Sequence, residues 1–219
     1  SNATSTLFPF KEKDYKKSMT SIDLFNSEPI ENCITNTHVK NLDIIPSHID
    51  LFDIEMKIAT SAGSVNILKT AIKKSRLLDI YDFIFIDTPP NLGPFMLNAF
   101  VCSNHYIIPL ESESVYSLEG LNALSNRISQ IKEYSNEKLN LLGYLITMFD
   151  GRNSTCKSMT NIILNNFKND VFKTKIRKNT DINKASAQKQ TIFQFNSLVN
   201  GSKDYLSLSN EIIQKLNHE

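Results

Sequence analysis

The stretch YDFIFIDTPPNLG, residues 81–93, places the strongest constraint on how this 219-residue chain can fold. Its apolar run Phe83–Ile86 shows no alternation with polar residues, which is typical of a strand covered on both faces of a parallel sheet. Asp87 follows the run directly, and Pro89 and Pro90 end the strand because proline offers no amide to a ladder. The sequence therefore predicts a buried strand with a carboxylate at its carboxyl end.

Strands and helical patterns alternate along the rest of the chain. This order predicts a single α/β domain over residues 1–219, in which a mostly parallel sheet has helices on both faces. The other predicted strands are Leu42–Ile45, 105–112, 139–150 and 171–176. The predicted helices lie near 21–26, over 49–78 with a break at Gly63, over 91–103 from Pro94, and over 116–135, 155–169 and 203–217.

The composition argues against several other classes of protein. No apolar run approaches the roughly 18 residues of a membrane span, so no membrane role is expected. Three scattered cysteines without CxxC spacing are typical of free thiols in a cytoplasmic protein, and the four histidines show no metal-ligand spacing. The opening Ser1–Ala3 resembles the remnant of a cleaved expression tag and is left out of the functional argument.

The charge of the chain is unevenly distributed. Residues 151–219 hold 11 Lys and Arg against 5 Asp and Glu, although the whole chain has a net charge of only +1. A basic C-terminal third is compatible with an anionic partner such as a nucleic acid, and equally with an ordinary solvated face.

Asp87 occupies a position where chemistry is expected. Ligands of open parallel sheets bind beyond the carboxyl ends of the strands, and one carboxylate with water can hold a phosphate-bound magnesium ion. Thr88 adds a hydroxyl, and Gly93 leaves the following loop free to move near a terminal phosphate. The alternative is a solvated aspartate that caps the next helix.

Several stretches together resemble the ParA family of plasmid and chromosome partition ATPases, which are relatives of MinD. The resemblance is collinear from about Leu42 to the C-terminus, and it implies a P-loop NTPase-like fold of the ParA/MinD type. The stretches that carry it are YDFIFIDTPPNLG (81–93), LNAF (97–100), YIIPLESESVYSLEGL (106–121), LITMFDGRN (145–153) and VFKTKIRKN (171–179).

This resemblance implies roles for particular residues. Asp87 would hold Mg²⁺ through water, and Thr88 and Pro89 would belong to the loop that senses the γ-phosphate of ATP. Two further segments would enclose the adenine, although an apolar strand end is also typical of core and Asn179 is also a common turn residue. The implied adenine-pocket residues are Met148, Phe149, Asp150, Arg177, Lys178 and Asn179.

The family also binds DNA non-specifically as an ATP-bound dimer and works with a ParB-like partner. Basic residues late in the chain would make the DNA contacts, and Lys173 and Lys175 would share one face of a strand. FNSLVNGS (195–202) stands where many relatives carry an arginine-rich stretch, which weakens this surface. The implied DNA-binding residues are Lys173, Lys175, Lys178, Lys184 and Lys189.

The glycine-rich phosphate loop of the family is absent from this sequence. Its six glycines stand apart, and none precedes a Lys-Ser or Lys-Thr pair. We therefore expect the chain to lack the first strand, to hold no nucleotide and to be inactive as an ATPase by itself. An unpaired apolar edge beside Phe83–Ile86 predicts self-association or a rearranged strand.

Two functions remain open at this point. One is a ParA-type ATPase that needs its phosphate loop for activity. The other is a ParA-like interaction or DNA-binding protein that works without nucleotide.

Overall fold

The structure, a computed structural model, describes residues 2–7, 18–48, 50–61, 63–113 and 120–217. It divides into two compact units, Ser1–Ser103 with Ile131–Glu137 and Asn104–Gln130 with Lys138–Glu219. Each unit has a hydrophobic core of its own. The single domain over 1–219 stays a prediction. Three parts of the predictions lie outside the described residues: Ser1 of the expected tag remnant, Ile49 of the second predicted helix, and Tyr116–Glu119 of the YSLEGL element.

Short helices form most of the first unit. The helix expected near 21–26 is confirmed, and Thr20 and Asp23 form a capping box at its start. The predicted break at Gly63 is also confirmed, because this glycine has a φ of 75°. The helices are α1 Asn2–Leu7, α2 Ser21–Phe25, α3 Leu51–Ala59, α4 Ile67–Lys74, α5 Leu77–Ile80 and α6 Pro94–Cys102.

The predicted strand Leu42–Ile45 is shorter than expected. It is β2, Asp43–Ile44, which pairs antiparallel with β1, Thr35–Asn36. The Tyr81 hydroxyl donates to Asp43 Oδ2 at 2.6 Å, which ties the chain after α5 to this small sheet.

The predicted burial of Phe83–Ile86 is wrong. The segment joins no strand ladder among the described residues, and Phe83, Ile84 and Phe85 are 51, 42 and 78% exposed. Ile86 alone of the four packs against the core of the first unit. An apolar run becomes a buried strand only where neighbouring strands supply hydrogen bonds and cover its faces, and the described residues supply neither here.

A fully buried asparagine connects three elements of the first unit. Asn98 in α6 donates from Nδ2 to Ser64 O at 2.6 Å, and its Oδ1 accepts from Leu68 N at 3.1 Å at the start of α4. Nδ2 also donates to Pro94 O at 3.0 Å. Because donor and acceptor are both used, the burial of this polar side chain is compensated.

The second unit is built around two parallel strands. β3, His105–Glu111, pairs with β4, Asn140–Thr147, from His105↔Asn140 to Glu111↔Thr147, with an irregularity after Tyr106. Gly143 in β4 has no room for a side chain, because a Cβ there would lie 2.8 Å from Asp170 O. Both strands confirm the sequence-based assignment.

A third segment lies along the other edge of β4. Phe172 N donates to Tyr144 O and Ile176 N donates to Ile146 O, each at 2.9 Å. Only isolated parallel bridges form, so the predicted strand 171–176 is not a regular strand. The segment nevertheless runs parallel to β4, and Arg177, directly after it, forms a bridge with Phe149, just beyond the carboxyl end of β4.

Helices cover both faces of β4. On one face Ile146 packs with Met159 and Ile163 of α8, and on the other Leu145 packs with Leu208 of α11. The predicted α/β architecture with helices on both faces is therefore confirmed. The helices are α7 Leu121–Tyr134, whose last turn belongs to the first unit, α8 Ser154–Phe167, α9 Thr180–Ala187, α10 Ile192–Phe195 and α11 Asn200–Leu216.

Two further observations concern the described part of the chain. None of its helices combines the length and the apolar character needed to cross a membrane. Cys33, Cys102 and Cys156 are free thiols.

Replacing Asn98 tests the buried connection. Asn98→Leu should lower the free energy of unfolding by about 2–4 kcal/mol, because the Leu68 amide and the Ser64 carbonyl lose their partner inside the core. Asn122→Ala, at an exposed position of α7, should change it by less than about 0.5 kcal/mol. Urea unfolding followed by circular dichroism measures both, and equal effects would contradict the assigned role of Asn98.

Candidate functional site

A pocket of about 830 Å³ lies in the second unit. Three segments line it: 149–152, which follow β4, 177–181, which follow the segment beside β4, and 198–200, at the start of α11. The carboxyl ends of neighbouring parallel segments therefore meet at this pocket, where ligands of parallel sheets bind.

The charged side chains of this pocket are paired within the protein. Each ionic group on its wall has an opposite charge within ion-pair distance, so the pocket has little uncompensated charge to offer a ligand. The pairs are Asp150 with Arg152, Arg177 with Asp204, Lys178 with Glu113 and Asp181 with Lys184. This arrangement favours a neutral polar ligand over a phosphate group.

The Asp150–Arg152 pair has a fork geometry. Asp150 Oδ1 accepts from Arg152 N at 2.9 Å and from Nε at 3.1 Å, while Oδ2 accepts from Nη2 at 3.1 Å. Hydrogen bonds from Arg152 hold the pKa of Asp150 below its usual value. Because the Arg152 side chain is 93% exposed, the pair adds little stability and mainly fixes the shape of the wall.

Arg177 is bound to a buried acid of α11. Asp204 Oδ2 accepts from the backbone N of Arg177 at 3.0 Å and from its Nε at 2.9 Å, and Oδ1 accepts from Nη2 at 2.5 Å. The side-chain hydrogen bonds to Asp204 raise the pKa of Arg177 above its usual value. Arg177 lines the pocket, but its guanidinium anchors the 177–181 segment to α11.

Asn179 has a donor available at the pocket. Its Oδ1 accepts from Asp181 N at 2.8 Å and so caps α9. Its Nδ2 lies against Gly201, where a Cβ would be 3.2 Å away. No hydrogen bond among the described residues uses Nδ2, so this amide can donate to a ligand.

Met148 and Phe149 have different surroundings. Met148 is exposed, does not line the pocket, and has a φ of 54°, a left-handed conformation that is uncommon for a residue with a side chain. Phe149 lines the pocket, packs on the core beside Ile146, and has Lys175 Nζ at 4.9 Å from its ring centroid. Phe149 therefore belongs both to the pocket and to the core.

Asp87, Thr88 and Pro89 belong to the first unit. Asp87 and Thr88 are exposed, and Pro89 is half-buried. No group of three or more His, Cys, Asp and Glu that could hold a metal exists among the described residues. One exposed carboxylate still fits a magnesium ion that keeps most of its waters and takes its other ligands from phosphate.

The five predicted DNA-binding lysines differ in their contacts. Lys178 and Lys184 are in ion pairs, and Lys175 lies over the Phe149 ring. Lys173 and Lys189 are exposed, and neither has an ion pair among the described residues. Contact of these two lysines with an anionic partner would therefore break no ion pair found among the described residues.

Sequence reasoning missed three contributors to the pocket. Arg152 stands two residues after Asp150, a predicted site residue. The 198–200 segment lies at the start of the closing helix, which begins at Asn200 and not at residue 203 as predicted. The role of Asp204 as a buried ion-pair partner could have been found from the sequence. Asp204 stands four residues before Leu208 on the apolar stripe of α11, where an unpaired acid would be costly.

Comparisons with known proteins identify the family. A family model described as an AAA domain matches residues 1–141. The sporulation initiation inhibitor protein Soj of Bacillus subtilis (strain 168) is 31% identical over 211 residues, which cover 96% of this chain and 81% of Soj. The chain belongs to the ParA family of partition ATPases. The chromosome partitioning protein ParA of Myxococcus xanthus (strain DK1622) is 30% identical over 192 residues, 88% of this chain and 67% of that protein.

Solved structures support the same ParA/MinD-type fold. A plasmid partition protein from Borrelia burgdorferi is 25% identical, with a TM-score of 0.63 over 89% of this chain and 74% of that one. Apo McdA from Cyanothece has a TM-score of 0.82 at 16% identity, covering 97% and 83% of the two chains. Cobyrinic acid a,c-diamide synthase from Mycobacterium smegmatis, bound to an ATP analog and magnesium, has a TM-score of 0.75 at 21% identity, covering 91% and 73%.

Removing Asp204 tests the anchor of the 177–181 segment. Asp204→Ala should lower the free energy of unfolding by about 2–4 kcal/mol, because the Arg177 amide and guanidinium lose a buried acceptor. Asp79→Ala breaks the exposed pair with Arg76 and should cost less than about 1 kcal/mol. Chemical denaturation of the three proteins measures the difference, and losses of the same size would rule out the anchor.

Proposed function

We propose that this chain supplies the nucleobase pocket and the magnesium-binding acid of a ParA-type ATPase that partitions a plasmid or a chromosome. The observation that carries the proposal is the pocket of 149–152, 177–181 and 198–200, whose charges are compensated internally. A site of this kind suits the neutral base of a nucleotide, and its place at the ends of parallel segments agrees with a family of nucleotide-dependent proteins.

The base would be held by one polar contact and by apolar surface. Asn179 Nδ2 is a free donor that suits a ring nitrogen of adenine. Leu198, Val199 and Phe149 supply apolar walls for the flat faces of the base. Arg177 and Lys178 would act by shaping the pocket, since they already form ion pairs with Asp204 and Glu113. Met148 would turn the chain into the pocket through its left-handed backbone.

The phosphates would depend on groups outside the pocket. Asp87 would hold magnesium through water, and the ion would supply positive charge to the phosphates, while Thr88 and Pro89 would lie in the loop that responds to the γ-phosphate. The sequence given contains no glycine-rich phosphate loop. We therefore expect the chain by itself to bind ATP weakly and not to hydrolyse it, and we assign it no catalytic residue.

A pocket variant tests the nucleotide site. Asn179→Asp keeps the oxygen that caps α9 but removes the Nδ2 donor, so it should weaken binding of ATP with Mg²⁺ about tenfold with little change in stability. Asn183→Ala, at an exposed position of the same helix, should bind as the unchanged protein does. Calorimetric titration measures both, in a chain extended at its N-terminus by the phosphate-loop segment of a family relative.

The unextended chain provides the second comparison. Binding by the extended chain alone supports the ATPase, with the missing affinity located in the phosphate loop. If neither chain binds ATP, the alternative function holds, in which a ParA-like protein interacts with DNA or a partner without nucleotide. The exposed apolar segment Phe83–Phe85 favours that alternative, since no strand among the described residues pairs with it and its backbone can pair with a second copy or a partner chain. Unchanged binding by Asn179→Asp would contradict the base pocket.

DNA would bind non-specifically to the basic C-terminal third, in a dimer that a ParB-like partner regulates. Lys173 and Lys189 are the strongest candidates because they have no ion pair among the described residues, whereas Lys178 and Lys184 must first leave Glu113 and Asp181. Lys175 would have to leave the Phe149 ring, which couples this surface to the nucleobase pocket.

The salt dependence of DNA binding tests this surface. Lys173→Ala combined with Lys189→Ala should weaken binding equally for unrelated sequences and reduce the slope of log K against log[salt] by about 2. Lys73→Ala with Lys74→Ala removes the same charge from exposed positions of α4 and should leave the slope unchanged. Fluorescence anisotropy between low and moderate salt measures the slope, and equal effects of the two pairs would show that only net charge matters.

A further inference from the structure

A buried glutamate in the first unit lies against the loop that follows Asp87. Glu55 in α3 is only 8% exposed, and its Oε2 accepts from Asn91 Nδ2 at 3.4 Å. Its Oε1 is also buried and has no hydrogen-bond partner among the described residues. A buried carboxylate with one unbonded oxygen is unfavourable, and neither the core nor the pocket accounts for it.

The unbonded oxygen points at the end of the loop. A Cβ on Gly93 would lie 2.0 Å from Glu55 Oε1, so the carboxylate occupies the space that any side chain at this position would need. The φ of Gly93 is −84°, which means that close approach, and not backbone conformation, requires glycine here. The Gly93 amide donates to Asn91 Oδ1 at 3.2 Å, so Asn91 links the glutamate to the backbone of Gly93.

The same place is the positive end of a helix. Gly93 is the N-cap of the nine-residue helix α6, Pro94 is its first residue, and no side chain caps it by a hydrogen bond. A carboxylate is favoured at such an end by the helix dipole. Glu55 therefore acts on the loop in two ways, through the Asn91 side chain and through the field of α6.

We propose that Glu55 is a positioning residue that holds the Asn91–Gly93 end of the loop against α3. With that end held, Asp87 and Thr88 are the part of the loop that remains free to respond to magnesium and the γ-phosphate. This inference rests on the proposed function for the response to nucleotide, but the hold on the loop exists without nucleotide.

The hold on the loop is tested in the chain without nucleotide. Glu55→Ala should speed hydrogen exchange of the Asn91–Gly93 amides about tenfold, because local opening no longer has to separate Asn91 and α6 from the carboxylate. Asp53→Asn removes a carboxylate from an exposed position of the same helix and should leave this exchange unchanged. Equal exchange in Glu55→Ala and the unchanged protein would overturn the proposal, as would an equal effect of Asp53→Asn.

A paired substitution confirms the contact itself. Gly93→Ala alone should destabilise the first unit, because its methyl group would lie 2.0 Å from Glu55 Oε1 and 2.9 Å from Asn91 Oδ1, so these side chains must move. In a protein that already carries Glu55→Ala, the same change should shift the unfolding equilibrium constant at least about tenfold less, since the nearer of the two obstructing side chains is gone. Independent, additive effects of the two substitutions would show that Glu55 does not lie against Gly93.

The role of Glu55 in ATP hydrolysis is tested in the extended chain. There Glu55→Gln should lower kcat about tenfold and change KM less than twofold, since the loop is misplaced while the base pocket is intact. A loss of folded protein with unchanged kcat would reduce Glu55 to a structural residue and overturn the positioning role. If the extended, otherwise unchanged chain binds no ATP, the proposed function fails, and the exchange experiment alone then decides whether Glu55 holds the loop.

Discussion

The pairing of β4 on both of its edges is the constraint on which the candidate site depends. β3 lies along one edge, and residues 171–177 follow the other through hydrogen bonds to Tyr144 and Ile146. Parallel neighbours end at the same side, so the residues after β4 and after the third segment meet there. The helix α11 completes the pocket because Leu208 packs on β4 while Asp204 binds Arg177.

Electrostatic compensation explains the chemical character of that pocket. Four ion pairs surround it: two join residues 27 and 65 positions apart, and the other two join residues two and three positions apart. Charges that are satisfied internally shape the wall without attracting a charged ligand. The neutral base of a nucleotide is the kind of group that such a wall suits, which is the basis of the proposed nucleobase pocket.

Much of the fold was predictable because its signals are local. The continuous apolar runs of β3 and β4, the glycine break after α3, and the alternation of strands with helices all follow from short-range patterns, and all are confirmed. The run Phe83–Ile86 has an equally strong pattern but is exposed, because burial depends on neighbours that a local pattern does not supply. Asn179 and Phe149 were predicted for the site, whereas Arg152 and the 198–200 segment were not.

The sequence by itself determined the α/β class, the likeness to the ParA family and most of the helices, since caps, periodicity and motifs are encoded over a few residues. Only the tertiary structure decided which charges pair and which groups remain free. Arg177 and Asp204 are 27 positions apart, and Glu55 approaches Gly93 from another helix. Such contacts arise from the packing of distant segments, because side chains far apart in sequence meet only when the whole unit folds.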